Sequence, residues 1–191
     1  ETGVNWAAAS AIVNGTSETT FDPNTTISRQ DMAVMLYRYA QQYGIALPEQ
    51  TTAPFTDEGS VAAYALPAVQ ALHRAGVING MTATTFAPAA NVTRAQFVTM
   101  IARLADADVS GYASGPFADV PAGSWYAPYV NWAAANGIVN GTSATTFDPN
   151  TTISRQDMAV MLYNYTQHFG VQLDQKTVTA FTDEGLSLIH I

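Results

Sequence analysis

Three segments of the chain carry the apolar spacing of a helix that buries one face. In each, apolar residues fall at positions i, i+3, i+4 and i+7, which places them on one side of an α-helix. A unit of about 60 residues with two helices is marginal as a core of its own, so we expect the three stripes to pack against one another. The stripes are Met32, Met35, Leu36 and Tyr39; Phe97, Met100, Ile101 and Leu104; and Met158, Met161, Leu162 and Tyr165.

The signals that begin these helices also recur. A Ser or Thr precedes each stripe, where its side chain can cap free N–H groups, and an Asp or Gln follows three residues later. Thr93 with Gln96 forms a capping box, and the two Ser–Asp pairs are close relatives of one. The pairs are Ser28 with Asp31, Thr93 with Gln96, and Ser154 with Asp157.

A shorter helix is predicted before each of these. In the third copy it spans 126–136 and stops at Gly137, and in the second it spans 61–75 and stops at Gly76, because glycine suits the left-handed residue after a helix. Pro67 either kinks the second of these helices or marks its true first turn. The first copy has Ala11 at the stop position, so its end is less defined.

A loop with Asn-Gly and one phenylalanine joins the two helices of each copy. Asn-Gly predicts a turn, since both residues tolerate positive φ. The phenylalanines Phe21, Phe86 and Phe147 are expected to fill the core beneath this loop. The Asn-Gly pairs are Asn14–Gly15, Asn79–Gly80 and Asn140–Gly141.

The chain is therefore built from repeats. Residues 12–37 recur at 138–163 with one difference, Glu18 against Ala144, and 77–104 is a looser copy. We place the repeats at 1–54, 55–116 and 117–180. The second and third begin with a similar leading segment, at 55–69 and 117–130, which the first repeat lacks. Residues 181–191 hold the start of a further leading segment, "FTDEG", and a tail that does not match. We expect "FTDEG" to lie against the first repeat and replace its missing lead.

Composition and motifs exclude several classes of function. The net charge is −8, with one lysine and six arginines, so the chain is unsuited to neutralising nucleic-acid phosphates. It has no cysteine and no apolar run long enough to span a membrane. The three histidines do not recur between repeats, and no motif for catalysis, metal or cofactor binding is present. We therefore expect no enzyme activity, no metal and no cofactor. Residues 1–13 lack signal-peptide features, which is nevertheless compatible with a fragment of an exported protein.

Aspartates do recur, at Asp57, Asp119 and Asp183, in the leading segments. Each stands in a loop before a turn, where aspartate commonly bonds nearby backbone groups. We therefore expect local capping from them rather than catalysis.

One residue recurs without an evident reason. Arg29, Arg94 and Arg155 each occupy the first turn of a helix, where the positive end of the helix dipole disfavours a cation. A solvated surface residue, an arginine oriented by Asp31 or Asp157, and an anion site built with helix N–H groups are the three interpretations. Helix capping explains the serine and aspartate of this motif and the core explains its apolar residues, so we expect the arginine to have no structural need.

The segment "FADVPAGSWYAPYVNWAAANGIVNG…FDPN…ISRQDMAVML" (117–162) resembles the S-layer homology (SLH) repeat, whose last motif stands here as "SRQD", "TRAQ" and "SRQD". The resemblance covers nearly all of 1–185, with the first repeat truncated. It implies a mainly α fold of three helix–loop–helix repeats in a pseudo-threefold arrangement around a central three-helix bundle.

The resemblance also implies a function. Such repeats anchor exported proteins to bacterial cell walls by binding a secondary wall polysaccharide, often pyruvylated, in grooves between repeats. The ketal carboxylate would fall to Arg29, Arg94 and Arg155, with the Asn-Gly pairs as weaker groove-lining candidates. Trp125 and Trp132 are expected either to line a groove and stack on sugar faces or to pack in the core. The alternatives are a protein–protein module that self-associates in a surface lattice and a peptidoglycan anchor. In either case an exoenzyme outside this chain is one candidate for the attached protein. The expected location is extracellular, at the cell surface.

The sequence departs from the family pattern in ways that bear on the grooves. The acidic residue of the last motif is Asp in two repeats and Gln in one. The family pattern also has a Trp-Ala pair at the start of the short helix, which the second repeat lacks; Ala63–Tyr64 stands nearby. We expect the groove that uses the missing lead of the first repeat to bind most weakly.

Overall fold

The computed structural model describes residues 2–17, 19–170 and 181–183. Within these residues the chain forms six α-helices and no sheet, which confirms the predicted mainly α class. No helix in this part of the chain is long and apolar enough to cross a bilayer. The helices are α1 (Thr2–Ala9), α2 (Arg29–Gln42), α3 (Leu66–Arg74), α4 (Arg94–Leu104), α5 (Ala127–Ala135) and α6 (Arg155–His168), with a 3-10 turn at Glu58–Ser60.

The helices α2, α4 and α6 begin as their capping signals predict. Ser28, Thr93 and Ser154 each accept a hydrogen bond from the backbone N–H three residues on. At Thr93 the capping box is complete, because the Gln96 side chain accepts from the Thr93 N–H at 3.0 Å. All twelve residues of the three apolar stripes are buried, which confirms the predicted shared core.

The shorter helices begin and end for different reasons. Helix α3 starts at Leu66 rather than at residue 61, so the predicted span 61–75 is wrong at its start. Pro67 marks the first turn, the position where a missing N–H costs nothing. The ends are confirmed by Gly76 and Gly137, at φ +73° and +66°, and Ala11 adopts the same left-handed conformation at φ 55° without being glycine.

Each long helix packs against the short helix of the next repeat. Helix α2 packs on α3, α4 on α5, and α6 returns to α1. The strand-like segments before the long helices follow the same order. The backbone N–H of Arg29 donates to the Ala90 carbonyl, that of Arg94 to Thr151 and that of Arg155 to Thr25, each at 2.9 Å. The contacts therefore run from repeat one to two, two to three, and three back to one.

Long helices also meet directly in the core. Tyr39 of α2 hydrogen-bonds Thr166 of α6 at 3.0 Å, and its ring lies 5.6 Å from that of Tyr165. The finer expectation of pseudo-threefold symmetry around a central three-helix bundle stays a prediction, as do the repeat boundaries. Of the predicted segments, residues 171–180 and 184–191 lie outside the described part of the chain.

Candidate functional site

The three recurrent arginines reach from one repeat to the next. Each stands at the first position of its long helix, and its guanidinium donates to two backbone carbonyls in the loop of the following repeat. Nε of Arg29 donates to Phe86 at 2.7 Å and its Nη2 donates to Asn79 at 2.7 Å. Arg94 bonds Phe147 and Asn140 at 2.9 and 3.2 Å, and Arg155 bonds Phe21 and Asn14 at 2.8 and 2.7 Å.

The same guanidinium groups lie over aromatic rings. The distance from the arginine Cζ to the ring centroid is 4.7 Å for Arg29 over Phe86, 4.7 Å for Arg94 over Phe147 and 4.6 Å for Arg155 over Phe21. At this distance the negative face of a ring attracts a cation. The phenylalanines are buried in the core as predicted, and they have this second role, which the sequence analysis missed.

The arginines thus have a structural need, and the expectation that they have none was wrong. Arg29 and Arg94 are not solvated surface residues, since they are only 1% and 7% exposed, and Arg155 is half-buried. Burial lowers the pKa of Arg29 to about 10, although the charge of Asp57 acts in the opposite direction. The side chain remains charged at neutral pH. The carbonyls of the neighbouring repeat receive the cation that the helix start disfavours.

Aspartates bind the backbone N–H groups of the same loops whose carbonyls accept from the arginines. The sequence predicts local capping by these residues, but they bond backbone groups distant in sequence. Asp57 accepts the N–H groups of Phe86 and Ala87 at 2.8 and 2.7 Å, and Asp119 accepts those of Phe147 and Asp148 at 2.8 and 2.7 Å. We call Asp57, Asp119 and Asp183 the lead aspartates.

The third lead aspartate comes from the far end of the chain. Asp183 accepts the N–H groups of Phe21 and Asp22, with shortest distances of 2.9 and 2.7 Å. The ring of Phe181 lies 5.6 Å from that of Phe21, as Phe55 and Phe117 lie 5.5 Å from Phe86 and Phe147. Residues 181–183 therefore occupy the place of the missing lead of the first repeat, as expected. Residues 184 and 185 lie outside the described residues.

The Asn-Gly pairs form tight loops, but not for the reason predicted. Neither the asparagines nor the glycines adopt positive φ; Asp22, Ala87 and Asp148 at the end of the loops do. Glycine is needed for space instead. A Cβ on Gly80 would lie 2.3 and 2.5 Å from the carbonyl oxygens of Thr82 and Thr85, and Gly15 and Gly141 are equally confined.

A groove opens beside Arg29, between the first two repeats. Its cavity of about 370 Å³ is lined by Arg29, Asn79, Gly80, Met81, Gln96, Thr99, Met100, Arg103 and Trp125. We call this the Arg29 groove. For comparison, we use the names Arg94 groove and Arg155 groove for the surroundings of the other two arginines, which are defined by the position of the arginine and not by an observed cavity. The Arg29 groove brings together predicted residues from all three repeats, namely Arg29 from the first, Asn79, Gly80 and Gln96 from the second and Trp125 from the third.

The two candidate tryptophans have different surroundings. Trp125 lines the Arg29 groove and is 59% exposed. Trp132 is 6% exposed and packs in the core, which is the alternative to a place in a groove that the sequence analysis left open. The two side chains are the same, but their positions relative to helix α5 differ. Trp125 precedes the helix, whereas Trp132 lies on its buried face.

Arg103 and Met81 are groove residues that the sequence analysis did not find. With the Asn79 amide oriented so that its oxygen faces Arg103, Nη1 of Arg103 donates to it at 3.0 Å. The guanidinium lies 5.5 Å from the ring of Tyr129. Arg103 stands nine residues after Arg94, as Arg38 does after Arg29, and this second recurrent arginine was the available signal.

The helix-cap residues mostly serve local structure. Asp31 accepts from Ser28 at 2.6 Å and from the hydroxyl of Tyr64 at 2.6 Å, and it does not hydrogen-bond Arg29. Gln96 differs, since its amide nitrogen lies 3.3 Å from the sulfur of Met81 at the Arg29 groove. Of the capping residues, Gln96 therefore lines the Arg29 groove.

Known proteins share this chain's repeats. The chain is 34% identical over 78% of its length to the surface-layer 125 kDa protein of Lysinibacillus sphaericus, and 35% identical over 72% to an endoglucanase of Bacillus sp. strain KSM-635. It is 38% identical over 50% of its length to endo-1,4-beta-xylanase A of Thermoanaerobacterium saccharolyticum. These matches span 12%, 15% and 8% of the three relatives, so the chain corresponds to a small part of each.

A family model matches residues 1–33, 54–98 and 116–159, more than half of the chain and once in each predicted repeat. The likeness to enzymes lies in these repeats, which S-layer proteins also carry, and the chain itself is a repeat array rather than an enzyme. The chain belongs to the S-layer homology domain family.

Proposed function

We propose that this chain anchors the protein that carries it to a bacterial cell surface by binding an acidic wall polysaccharide in the grooves between its repeats. The ligand group is a carboxylate on the glycan, of which a pyruvate ketal is the expected form. Surface-layer and cell-surface proteins among the relatives support the location. Several relatives are named as enzymes and match only in part, which fits an attachment module.

The observation that carries the proposal is the composition of the Arg29 groove. Two guanidinium groups, Arg29 and Arg103, line one cavity beside the exposed ring of Trp125. Among the described residues, the hydrogen bonds of Arg29 use Nε and Nη2, and none uses Nη1. A guanidinium suits a carboxylate, and an aromatic face suits the apolar face of a sugar ring.

The chain's overall charge favours recognition by local geometry. A net charge of −8 repels an anionic glycan at long range, so attraction has to come from the groove itself. Binding should therefore weaken only moderately as salt rises, because groups inside a groove are screened less than exposed charges.

Co-sedimentation with purified cell-wall sacculi tests the proposal. We expect binding to walls that carry the pyruvylated polysaccharide and a loss of at least about tenfold in affinity, or about 1.4 kcal/mol, after mild acid removes the ketal. Equal binding to walls stripped of the polysaccharide would favour a peptidoglycan anchor. Concentration-dependent assembly without walls, and no wall binding, would favour a lattice module.

A further inference from the structure

The three grooves carry different charge, although their arginines make the same contacts. Besides the lead aspartate, two positions around each arginine decide this: the left-handed residue that ends the loop, and the third residue of the next long helix. At the Arg94 groove these are Asp148 and Asp157, and at the Arg155 groove they are Asp22 and Asp31. At the Arg29 groove they are Ala87 and Gln96.

The carboxylates around the arginines differ accordingly. Three carboxylates act on Arg94, namely Asp157, Asp148 and Asp119, and three act on Arg155, namely Asp22, Asp31 and Asp183. Within the described part of the chain, one carboxylate, Asp57, interacts electrostatically with Arg29. An anion that approaches Arg94 or Arg155 meets an excess of negative charge, which disfavours it.

A second arginine adds to this difference. Arg103 is half-buried and lines the Arg29 groove, held by Asn79 and Tyr129. The corresponding residue of repeat three is Asn164, whose amide donates to the Ile138 carbonyl at 3.2 Å and supplies no charge at the Arg94 groove. Arg38 is the counterpart in repeat one, beside Asn14.

We infer that the Arg29 groove alone takes the carboxylate of the ligand, and that Ala87, Gln96 and Arg103 are the residues that make it selective, whereas aspartates neutralise Arg94 and Arg155 from within the protein. This inference rests on the proposed function for the identity of the glycan. In the Arg29 groove the carboxylate of the ligand meets two guanidinium groups, those of Arg29 and Arg103. Of the other two, the Arg155 groove has Arg38 nearby, so we expect its residual affinity for a carboxylate to exceed that of the Arg94 groove.

Two double variants test the inference without changing any arginine. Ala87→Asp with Gln96→Asp gives the Arg29 groove the carboxylates of the other two. Asp148→Ala with Asp157→Gln gives the Arg94 groove the residues of the Arg29 groove. Each replacement copies a residue that another repeat already holds in the same place: Ala87 and Asp148 have φ of 58° and 56°, and Asp157→Gln introduces the side chain with which Gln96 completes its capping box.

The binding measurement is calorimetric titration with a pyruvylated fragment of the wall polysaccharide. We expect one site per wild-type chain, a loss of at least about tenfold in affinity for Ala87→Asp with Gln96→Asp, and a second site for Asp148→Ala with Asp157→Gln. Arg103→Ala should weaken binding, while Arg38→Ala should not. Two or three equal sites on the wild-type chain, or unchanged affinity in the first double variant, would overturn the inference.

A second measurement separates this inference from the proposed function. Free pyruvate is added to the ¹⁵N-labelled chain, with sodium chloride at the same ionic strength as the control, and the arginine side-chain signals are followed by NMR. Shifts confined to Arg29 and Arg103 support the selective groove even if the chain does not bind walls, which would refute the anchor alone. Equal shifts at Arg94 and Arg155 would refute the selectivity even if walls are bound.

Discussion

The guanidinium of Arg94 contacts Phe147 in two ways at once: its Cζ lies 4.7 Å from the ring centroid, and its Nε donates to the backbone carbonyl of the same residue at 2.9 Å. Arg94 belongs to the second repeat and Phe147 to the third. One side chain thereby fixes both the core residue and the backbone of its neighbour. The recurrent arginine of this chain thus connects neighbouring repeats and is also a candidate ligand-binding residue.

Replacing Arg94 should therefore destabilise the fold. Arg94→Ala leaves the carbonyls of Phe147 and Asn140 without their donor and removes the cation from the ring. We expect a loss of about 2–4 kcal/mol in the free energy of unfolding, measured in urea. Arg38→Ala is the control, because no hydrogen bond of Arg38 is found among the described residues, and it should change stability by less than about 0.5 kcal/mol. Equal effects of the two changes would contradict the structural role.

A binding assay with an arginine-to-alanine variant consequently has to be read beside its stability. A chain that unfolds loses binding for a reason unrelated to the ligand. Substitutions at Ala87, Gln96 and Arg103 avoid this difficulty, since these side chains do not join the repeats through the paired carbonyl contacts.

Ala11 offers a stabilising substitution. It holds φ at 55° at the end of helix α1, where Gly76 and Gly137 stand in the other repeats. Because a side chain strains this conformation, Ala11→Gly should raise the free energy of unfolding by about 0.5–1 kcal/mol. The reverse change, Gly137→Ala, should lower it by about 1 kcal/mol, since no atom lies within 4 Å of the added methyl group and only φ matters. Thermal melting of both variants checks the pair, and a fall in Tm for Ala11→Gly would contradict it.

Asp57 and Asp183, two of the lead aspartates, should make stability depend on pH in the acid range, because the pKa of each carboxyl is lowered in the folded chain. Burial alone would raise the pKa of Asp57, but the N–H groups of Phe86 and Ala87, its own N–H and the charge of Arg29 hold it below the ordinary 3.8. A carboxyl whose pKa is lower in the folded state stabilises the protein above the unfolded value. That contribution is lost as pH falls from about 3.8 through the folded pKa.

Urea unfolding between about pH 2 and pH 6 measures this dependence. Asp57→Asn cannot ionise, so the variant should be less stable at the upper end of this range and should lose less stability on acidification than the wild-type chain. Parallel curves for the two proteins would show that Asp57 does not contribute.

Residues 181–183 should be necessary for full stability. Removing 181–191 takes away the acceptor of the Phe21 and Asp22 N–H groups and the ring beside Phe21. A chain shortened to residue 183 is the matched control, because it retains Asp183. We expect the shorter chain to melt at a lower temperature than the control, as Asp183→Ala should also do. No loss of thermal stability would show that this segment does not replace the missing lead.

The two tryptophans should separate binding from folding. Trp125→Ala should weaken binding of the wall polysaccharide and change stability by less than about 0.5 kcal/mol, since the side chain is largely exposed. Trp132→Ala should cost about 3–5 kcal/mol through loss of core packing. Calorimetric titration and urea unfolding of each variant distinguish the two effects. Normal binding by Trp125→Ala would remove that residue from the site.

The sequence pattern predicts local structure well because local structure depends on neighbours in the chain. Ser28, Thr93 and Ser154 cap their helices as expected, and the apolar spacing identifies the buried faces. The start of α3 was misplaced because apolar residues before Pro67 suggest a longer helix, whereas the proline restricts where it can begin.

Contacts distant in sequence could not be predicted in the same way. Nothing near Arg29 in the chain points to carbonyls 50 and 57 residues away. The recurrence of "FTDEG" predicted that this segment lies against the first repeat, but not that Asp183 accepts the N–H groups of Phe21 and Asp22. Trp125 and Trp132 are chemically alike, and only their placement on α5 separates them. The candidate arginines were found by recurrence, but their partners required the structure.

The return of repeat three to repeat one has a consequence for folding. In an open repeat array, stability grows as units are added one by one, and a shorter array remains folded. Here Arg155 bonds residues 134 and 141 positions away, so removing any one repeat would leave two interfaces without partners. The chain should fold in a single cooperative transition, after a long and slow loop closure, and a two-repeat piece should not fold by itself. The smallest working attachment unit is then the complete ring.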